Sequence, residues 1–185
     1  PSTIAKDTQM LEEIDCHFLF NPSYEQVYGQ SKVKQYDLGN LNDIMEGFCR
    51  PGHFQGVSNV VMRLFEIIKP NTAFFGLKDY QQYMVIKRVT AQLMPLIQIN
   101  GVDTIRDENG LAMSSRNIRL SELEYKSAIK VPSLLKEVGS RLQKYSIPEI
   151  KTWFLMQVNM IPHLRVEYIE LADANTLELV NSPSK

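Results

Sequence analysis

The chain has 185 residues, 44% of them hydrophobic and 22% charged, which is the make-up of an ordinary globular protein with length for one domain or two small ones. Its 20 basic and 21 acidic side chains leave a net charge of −1, so no long-range field gathers nucleic acid or an anionic membrane, and the expected partner is a small molecule. No apolar run reaches the ~18 to 20 residues that a bilayer span needs, and the N-terminus has neither region of a signal peptide, so the expected location is cytoplasmic.

The chain opens at Pro1 inside a helix-like stretch, with Ser2 as the cap and Ile4, Thr8 and Leu11 on one face. A gene product rarely starts there, and the expectation is a fragment of a longer protein. Cys16 to Phe20 reads as a short buried strand closed by the turn pair Asn21-Pro22, and a polar stretch then runs to about Asn42. Cys16 and Cys49 have no partner at metal-ligand spacing, so both are expected to be reduced thiols. Adjacent residues on a strand point to opposite faces, which favours a core role for Cys16-His17 over a nucleophilic one.

Val57, Val60, Val61, Leu64, Phe65 and Ile68 recur at helical spacing and predict an amphipathic helix that ends before Pro70. Thr72 to Phe75 predicts a strand, Asp79 caps a helix carrying Val85, Ile86 and Val89, and Leu96 to Asn100 predicts a further strand ending at Gly101. This alternation argues for an α/β fold with a parallel sheet and crossover helices. Past Thr104 a loop rich in Asp, Asn, Gly and Ser leads to two predicted helices, each opened by a capping box, Ser121 with Glu124 and Ser146 with Glu149. Ile150, Phe154 and Val158 form a stripe on the second, with Trp153 beside it, which reads as a core face. Val166 to Leu171 and Thr176 to Val180 flank Asp173-Ala174-Asn175, a pattern for a closing β-hairpin. The predicted division is 1–104 and 105–185.

Two segments carry candidate chemistry. Gly76-Leu77-Lys78-Asp79 follows a strand and opens a helix, the place where open α/β sheets bind ligands. Glycine lets the backbone approach a ligand, and Lys78 is a mobile ammonium suited to phosphate oxygens, although Asp79 and Gln82 also have capping-box spacing. Met113-Ser114-Ser115-Arg116 offers two hydroxyls and a guanidinium, donors suited to a triphosphate and to charge growing on an attacked α-phosphate. Taken alone, either segment is equally compatible with a solvated surface turn.

Together with Arg50-Pro51-Gly52-His53-Phe54-Gln55-Gly56-Val57 and Arg106-Asp107-Glu108-Asn109-Gly110-Leu111-Ala112, these segments resemble the pantothenate synthetase family. The resemblance implies the latter part of a Rossmann-like nucleotidyltransferase domain over 1–104, followed by a small α/β lid domain with a hairpin over 105–185. It implies ATP binding by Gly76, Leu77, Lys78, Asp79, Ile105, Met113, Ser114, Ser115 and Arg116, catalysis by Lys78, Ser114, Ser115 and Arg116, and pantoate binding by Gln82. It also implies magnesium with the ATP, β-alanine as the second acceptor and a homodimer. Asp7 aligns with an acidic cluster near magnesium in the family, but Lys6 interrupts that cluster, and no metal ligand is assigned. The resemblance puts the His53 loop near the pantoate end of the cleft, although a capping or structural imidazole fits His53 at least as well, and His17 and His163 carry no motif.

Leu77, Asn59 and Arg119 depart from the residues usual at those places, without removing a donor. The family's first strands, its His-x-Gly-His segment and the glutamine bridging the two acceptors have no counterpart here, so the chain by itself is expected to be inactive. Two other classes fit parts of the pattern. An aminoacyl-tRNA synthetase piece calls for a basic RNA-binding face, which the charge balance opposes. A non-catalytic nucleotide-binding or interaction module would bind ATP without pantoate-dependent exchange of pyrophosphate.

Overall fold

The computed structural model describes residues 4–29 and 33–180. Ser2, the expected cap of the first helix, lies outside them. That helix, α1, runs over Ile4–Glu13 and buries none of its residues. Short helices α2, Tyr24–Tyr28, and α3, Met45–Cys49, precede the long α4, His53–Ile68. The order then becomes β1, Thr72–Gly76; α5, Tyr80–Leu93; and β2, Gln98–Val102. Three helices follow: α6, Glu122–Ala128; α7, Lys130–Arg141; and α8, Ile147–Asn159.

Strands β1 and β2 pair in parallel, with Thr72 opposite Gln98 and Gly76 opposite Val102, and α5 makes the crossover between them. The period of two sorts the strand side chains. Ala73, Phe75 and Ile99 pack on the core, whereas Phe74 points the other way and is 67% exposed. That core is built from Phe54, Met62 and Phe65 of α4 and from Val85, Ile86 and Val89 of α5, with Leu38 and Leu41 from the preceding loop. Each large side chain fully withdrawn from water here contributes about 1.5 to 3 kcal/mol. The buried face of α4 is turned from the expected stripe: Phe54, Ser58, Met62 and Phe65 are buried, whereas Val60 and Ile68 are 43% and 53% exposed.

Helix α4 stops where expected: Lys69 turns left-handed, its N–H donates to the Phe65 carbonyl at 2.8 Å, and Pro70 cannot continue the helix. Asn59 and Gln55 on α4 grip an extended segment through their amides. Asn59 donates to the Lys34 carbonyl at 2.8 Å and accepts from the Lys34 N–H at 2.8 Å, while Gln55 does the same for Tyr36 at 2.8 and 3.0 Å. Asn59 is therefore a clamp for that segment.

Several expectations need correction. Cys16 to Phe20 is not a buried strand: it is irregular, Cys16 is exposed and Phe18 is 92% exposed. A strand needs a neighbour to take its N–H and C=O groups, and among the described residues β1 and β2 pair only with each other. The polar stretch contains α2, which is opened by a capping box between Ser23 and Gln26. The predicted helix after Ser121 is two helices. Pro132 has no N–H to give the Ala128 carbonyl, so α6 ends at Ala128 and Pro132 sits in the first turn of α7, where a missing donor costs nothing. The closing hairpin is reduced to a reversal with one antiparallel bridge, Ala172 to Leu179. Asp79 stands at the α5 N-cap but makes no side-chain cap bond.

The expected capping boxes at Ser121 and Ser146 are both present. So is the core face of α8: Ile150, Phe154 and Val158 are buried with Val138 of α7 in a second core, and Trp153 packs at its edge under the Arg141 guanidinium, 3.9 Å from the ring centroid. The tail then returns to the first core, where Leu177 is buried and the Tyr80 hydroxyl donates to the Ala174 carbonyl at 2.7 Å.

Candidate active site

A cleft of about 660 Å³ lies at the carboxyl end of β1 and gathers Lys78 and Asp79 from the β1–α5 turn and Gln82 from the first turn of α5 with Ser114, Ser115 and Arg116 from the loop before α6. Glu46, Arg50 and His53 enter from α3 and the start of α4, and Tyr168 enters from the segment after α8. Six of the residues expected at the site therefore share one cavity. Gly76, Leu77, Ile105 and Met113 are not among its lining residues. Gly76 ends β1, and Leu77 lies so close over Gly101 that a Cβ there would sit 2.5 Å from its Cδ2. Ile105 and Met113 are exposed, joined by a bond from the Met113 N–H to the Ile105 carbonyl at 2.9 Å.

The two adjacent glutamines divide their work. Gln81 is buried and fully engaged: its Nε2 donates to the Leu41 and Ile44 carbonyls at 2.9 and 3.0 Å, and its Oε1 accepts the Glu46 N–H at 3.1 Å. It fixes α3 beside the cleft. Gln82, one position on around α5, is half-buried and faces the cavity.

The Ser114-Ser115-Arg116 turn is held by its neighbours. Ser114 Oγ accepts the Arg116 N–H at 3.2 Å, and Asn117 donates to the Ala112 carbonyl at 3.0 Å. Before it, residues 105–113 fold back as a ribbon with a bridge from Arg106 to Ala112. Asp107 closes the tip, with Oδ1 accepting the N–H groups of Asn109 and Leu111 at 3.0 and 2.9 Å. Tyr125 on α6 donates to Asp107 Oδ2, and these bonds hold the Asp107 carboxyl below the usual carboxylate range.

Three cations, Arg50, Lys78 and Arg116, line the cleft against two carboxylates, Glu46 and Asp79. Lys78 lies 3.3 Å from Asp79, and Arg50 lies 3.6 Å from Glu46. Both pairs are loose and solvent-facing, so an incoming anion can displace the carboxylates at little cost. Burial, aided by Arg50, pushes the His53 imidazole below its ordinary value, which favours its neutral form. Tyr168 donates to Glu46 Oε1 at 3.0 Å, and burial and this bond push its hydroxyl far up, keeping it protonated.

Sequence reasoning left Glu46 and Tyr168 unnamed and gave Arg50 no role. Glu46 and Tyr168 belong to no motif and meet across 122 positions, so no local signal pointed to them. Among the described residues no group of three or more His, Cys, Asp or Glu side chains could hold a metal ion.

The family model of Pantoate-beta-alanine ligase matches residues 1–185. The chain belongs to this family. It is 41% identical over 181 residues to the pantothenate synthetase of Azobacteroides pseudotrichonymphae, covering 97% of this chain and 65% of that protein. It is 38% identical over 182 residues to that of Porphyromonas gingivalis, covering 98% and 65%. The chain thus spans a little under two thirds of these curated relatives. A crystal structure of pantothenate synthetase from Thermus thermophilus superposes with a TM-score of 0.91 at 34% identity, over 100% of this chain and 67% of that one. The pantoate-beta-alanine ligase of Francisella tularensis, in a structure complexed with beta-gamma ATP and beta-alanine, matches at TM-score 0.68 and 32% identity, over 83% of this chain and 58% of that one. The match supports an incomplete Rossmann-like nucleotidyltransferase fold for the two-stranded parallel sheet.

Proposed function

We propose that the protein carrying this chain joins pantoate to β-alanine at the expense of ATP. The observation that carries the reading is the convergence of Lys78 and Gln82 with Ser114, Ser115 and Arg116, two distant segments of a family member, on one cleft. In the first step a pantoate carboxylate oxygen attacks the α-phosphorus, the bond to the bridging oxygen breaks, and pyrophosphate leaves with pantoyl adenylate formed. In the second the β-alanine amine attacks the acyl carbonyl, loses a proton, and expels AMP. A free carboxylate has no good leaving group, which is why adenylation comes first.

Lys78, Arg116 and the Ser114 and Ser115 hydroxyls meet the phosphate charge that grows as the α-phosphate is attacked, and Gln82 orients pantoate. Gly76, Leu77, Asp79, Ile105 and Met113 shape the nucleotide end through backbone and packing. Magnesium is proposed only as the ion that travels with ATP, held by phosphate oxygens and water, because the described residues supply no acidic cage for it. Residues 105–185 serve as the lid over the 1–104 domain, and the intact protein is a cytoplasmic homodimer.

Purified full-length protein from the natural gene should release AMP only when pantoate and β-alanine are both present. AMP release indifferent to pantoate overturns the assignment. The 185 residues alone are expected to be inactive, because His17, His53 and His163 are their only histidines and none forms a His-x-Gly-His segment. Turnover by the isolated chain, with contaminating full-length enzyme excluded by mass spectrometry, refutes that expectation.

A further inference from the structure

Glu46 stands between two partners that pull on different oxygens. Its Oε1 accepts the Tyr168 hydroxyl at 3.0 Å, and its Oε2 is 3.6 Å from Arg50 Nη1. The backbone beneath it is fixed: the Glu46 N–H is held by the buried Gln81, and Gly47 is packed so closely that a Cβ would lie 2.4 Å from the Asn42 carbonyl oxygen. With its backbone fixed, the carboxylate is held on its own side of the cleft by the bond from Tyr168. Arg50 can move, since its side chain is 51% exposed and the contact to Glu46 is longer than a good ion pair.

We propose that Arg50 binds the carboxylate of β-alanine, and that Tyr168 positions it by drawing the Glu46 carboxylate away. This rests on the ligase reading above. Two substrates of that reaction bear a carboxylate, and their needs differ. The pantoate carboxylate must attack phosphorus, and a planar guanidinium fork on both its oxygens would stabilise the nucleophile and slow the attack. The β-alanine carboxylate takes no part in bond making, so a fork that holds it only orients the amine. Lys78 and Arg116 stand on the two segments that serve phosphate, which leaves Arg50, from a third segment of the chain, as the cation for the spectator carboxylate.

Tyr168 matters because a hydroxyl donor on Glu46 takes up part of its charge. Without it, Glu46 turns its full charge on Arg50 and competes with the substrate. The relation has a signature that a purely structural role lacks, because removing the charge of Glu46 should repair the loss of the Tyr168 hydroxyl.

The test measures the three KM values in the full-length enzyme. Arg50→Ala should raise the β-alanine KM at least about tenfold, the scale of one charge-assisted contact, with a much smaller change for ATP and pantoate. Tyr168→Phe should raise the β-alanine KM roughly three- to tenfold, and Tyr168→Phe combined with Glu46→Gln should return it to within about twofold of wild type. Equal rises for ATP or pantoate, or losses that simply add in the double variant, overturn the proposal. Wild-type enzyme without pantoate-dependent AMP release would instead overturn the ligase reading on which it stands, so the two failures are distinct.

Discussion

The Tyr125 hydroxyl donates to Asp107 Oδ2 at 2.7 Å and accepts from Asn109 Nδ2 at 3.0 Å, so one side chain of α6 holds the tip of the ribbon whose far end continues into Ser114-Ser115-Arg116. The ribbon has only one bridge of its own, and its side chains are largely exposed. Its order depends on this anchor. Tyr125→Phe removes both bonds at about 1 kcal/mol each, and amide exchange across residues 105–113 should accelerate about tenfold or more. In the full-length enzyme the KM for ATP should rise several-fold, while a nearby control such as Lys126→Ala should change neither quantity. Unchanged exchange in Tyr125→Phe would mean that the ribbon holds itself.

Glu66 on α4 accepts from Lys34 at 2.7 Å and from Arg63 at 3.0 Å. The bond from Lys34 is the largest cause of its carboxyl lying below the ordinary range, and the bond from Arg63 is the next. A carboxyl depressed in the folded state favours folding above its unfolded value, and that contribution disappears as pH falls through the folded value. Thermal stability of the wild type should therefore decline as pH drops below about 4.5, and Glu66→Gln should show a shallower decline over the same interval. A parallel pair of melting curves from pH 7 to 3 would show that this pair contributes no linkage. The effect is modest because Lys34 is 60% exposed.

Two close-packed glycines should respond unequally to the same change. Added methyl carbon at Gly47 meets backbone, 2.4 Å from the Asn42 oxygen, and backbone cannot step aside without moving α3. Gly47→Ala should cost about 1 to 3 kcal/mol in urea denaturation. At Gly101 the obstacle is Leu77 Cδ2 at 2.5 Å, the end of a flexible side chain. Gly101→Ala should cost less than about 1 kcal/mol and show itself instead as a weaker nucleotide site, because Leu77 sits between Gly76 and Lys78. Equal losses of stability at both positions would refute the distinction.

What could be read from the sequence was what is local. Helices α4 and α5, the β1 run and the boxes at Ser121 and Ser146 each declare themselves within a few residues, and each is present, whereas β2 lies two residues beyond the expected run and the buried face of α4 is not the expected stripe. Cys16 to Phe20 has the composition of a strand but no pairing partner among the described residues, and composition cannot supply one. The five-residue α2 is too short for a periodicity, although the Ser23 and Gln26 spacing was there to be used. Pro132 was a visible breaker inside the supposed single helix. At the candidate site, Lys78 and Ser114-Ser115-Arg116, which line one cleft, could be singled out because each lies in a contiguous motif. Glu46 and Tyr168 are joined only by the return of the tail to the first core, a tertiary event with no local signature.

The two motif cations should act on one chemical step. Lys78 and Arg116 line the same cleft from segments separated by β2 and the ribbon, and neither is buried in the protein's own packing: Lys78 has only its loose pair with Asp79, and Arg116 has no ion pair among the described residues. Cations left so available contribute little to folding, so their substitution should leave the melting temperature within about 2 °C of wild type. Phosphate charge grows as the α-phosphate is attacked, and a donor aimed at that charge is worth about 2 to 4 kcal/mol, or roughly 10²- to 10³-fold in rate. In the full-length enzyme, Lys78→Ala and Arg116→Ala should each slow pantoate-dependent pyrophosphate exchange by that factor. Pantoyl adenylate supplied ready-made should react with β-alanine at a rate within about tenfold of wild type, because the phosphate is then only the leaving group's anchor. If both steps slow equally, the two cations position the whole substrate assembly, and their assignment to adenylation is wrong.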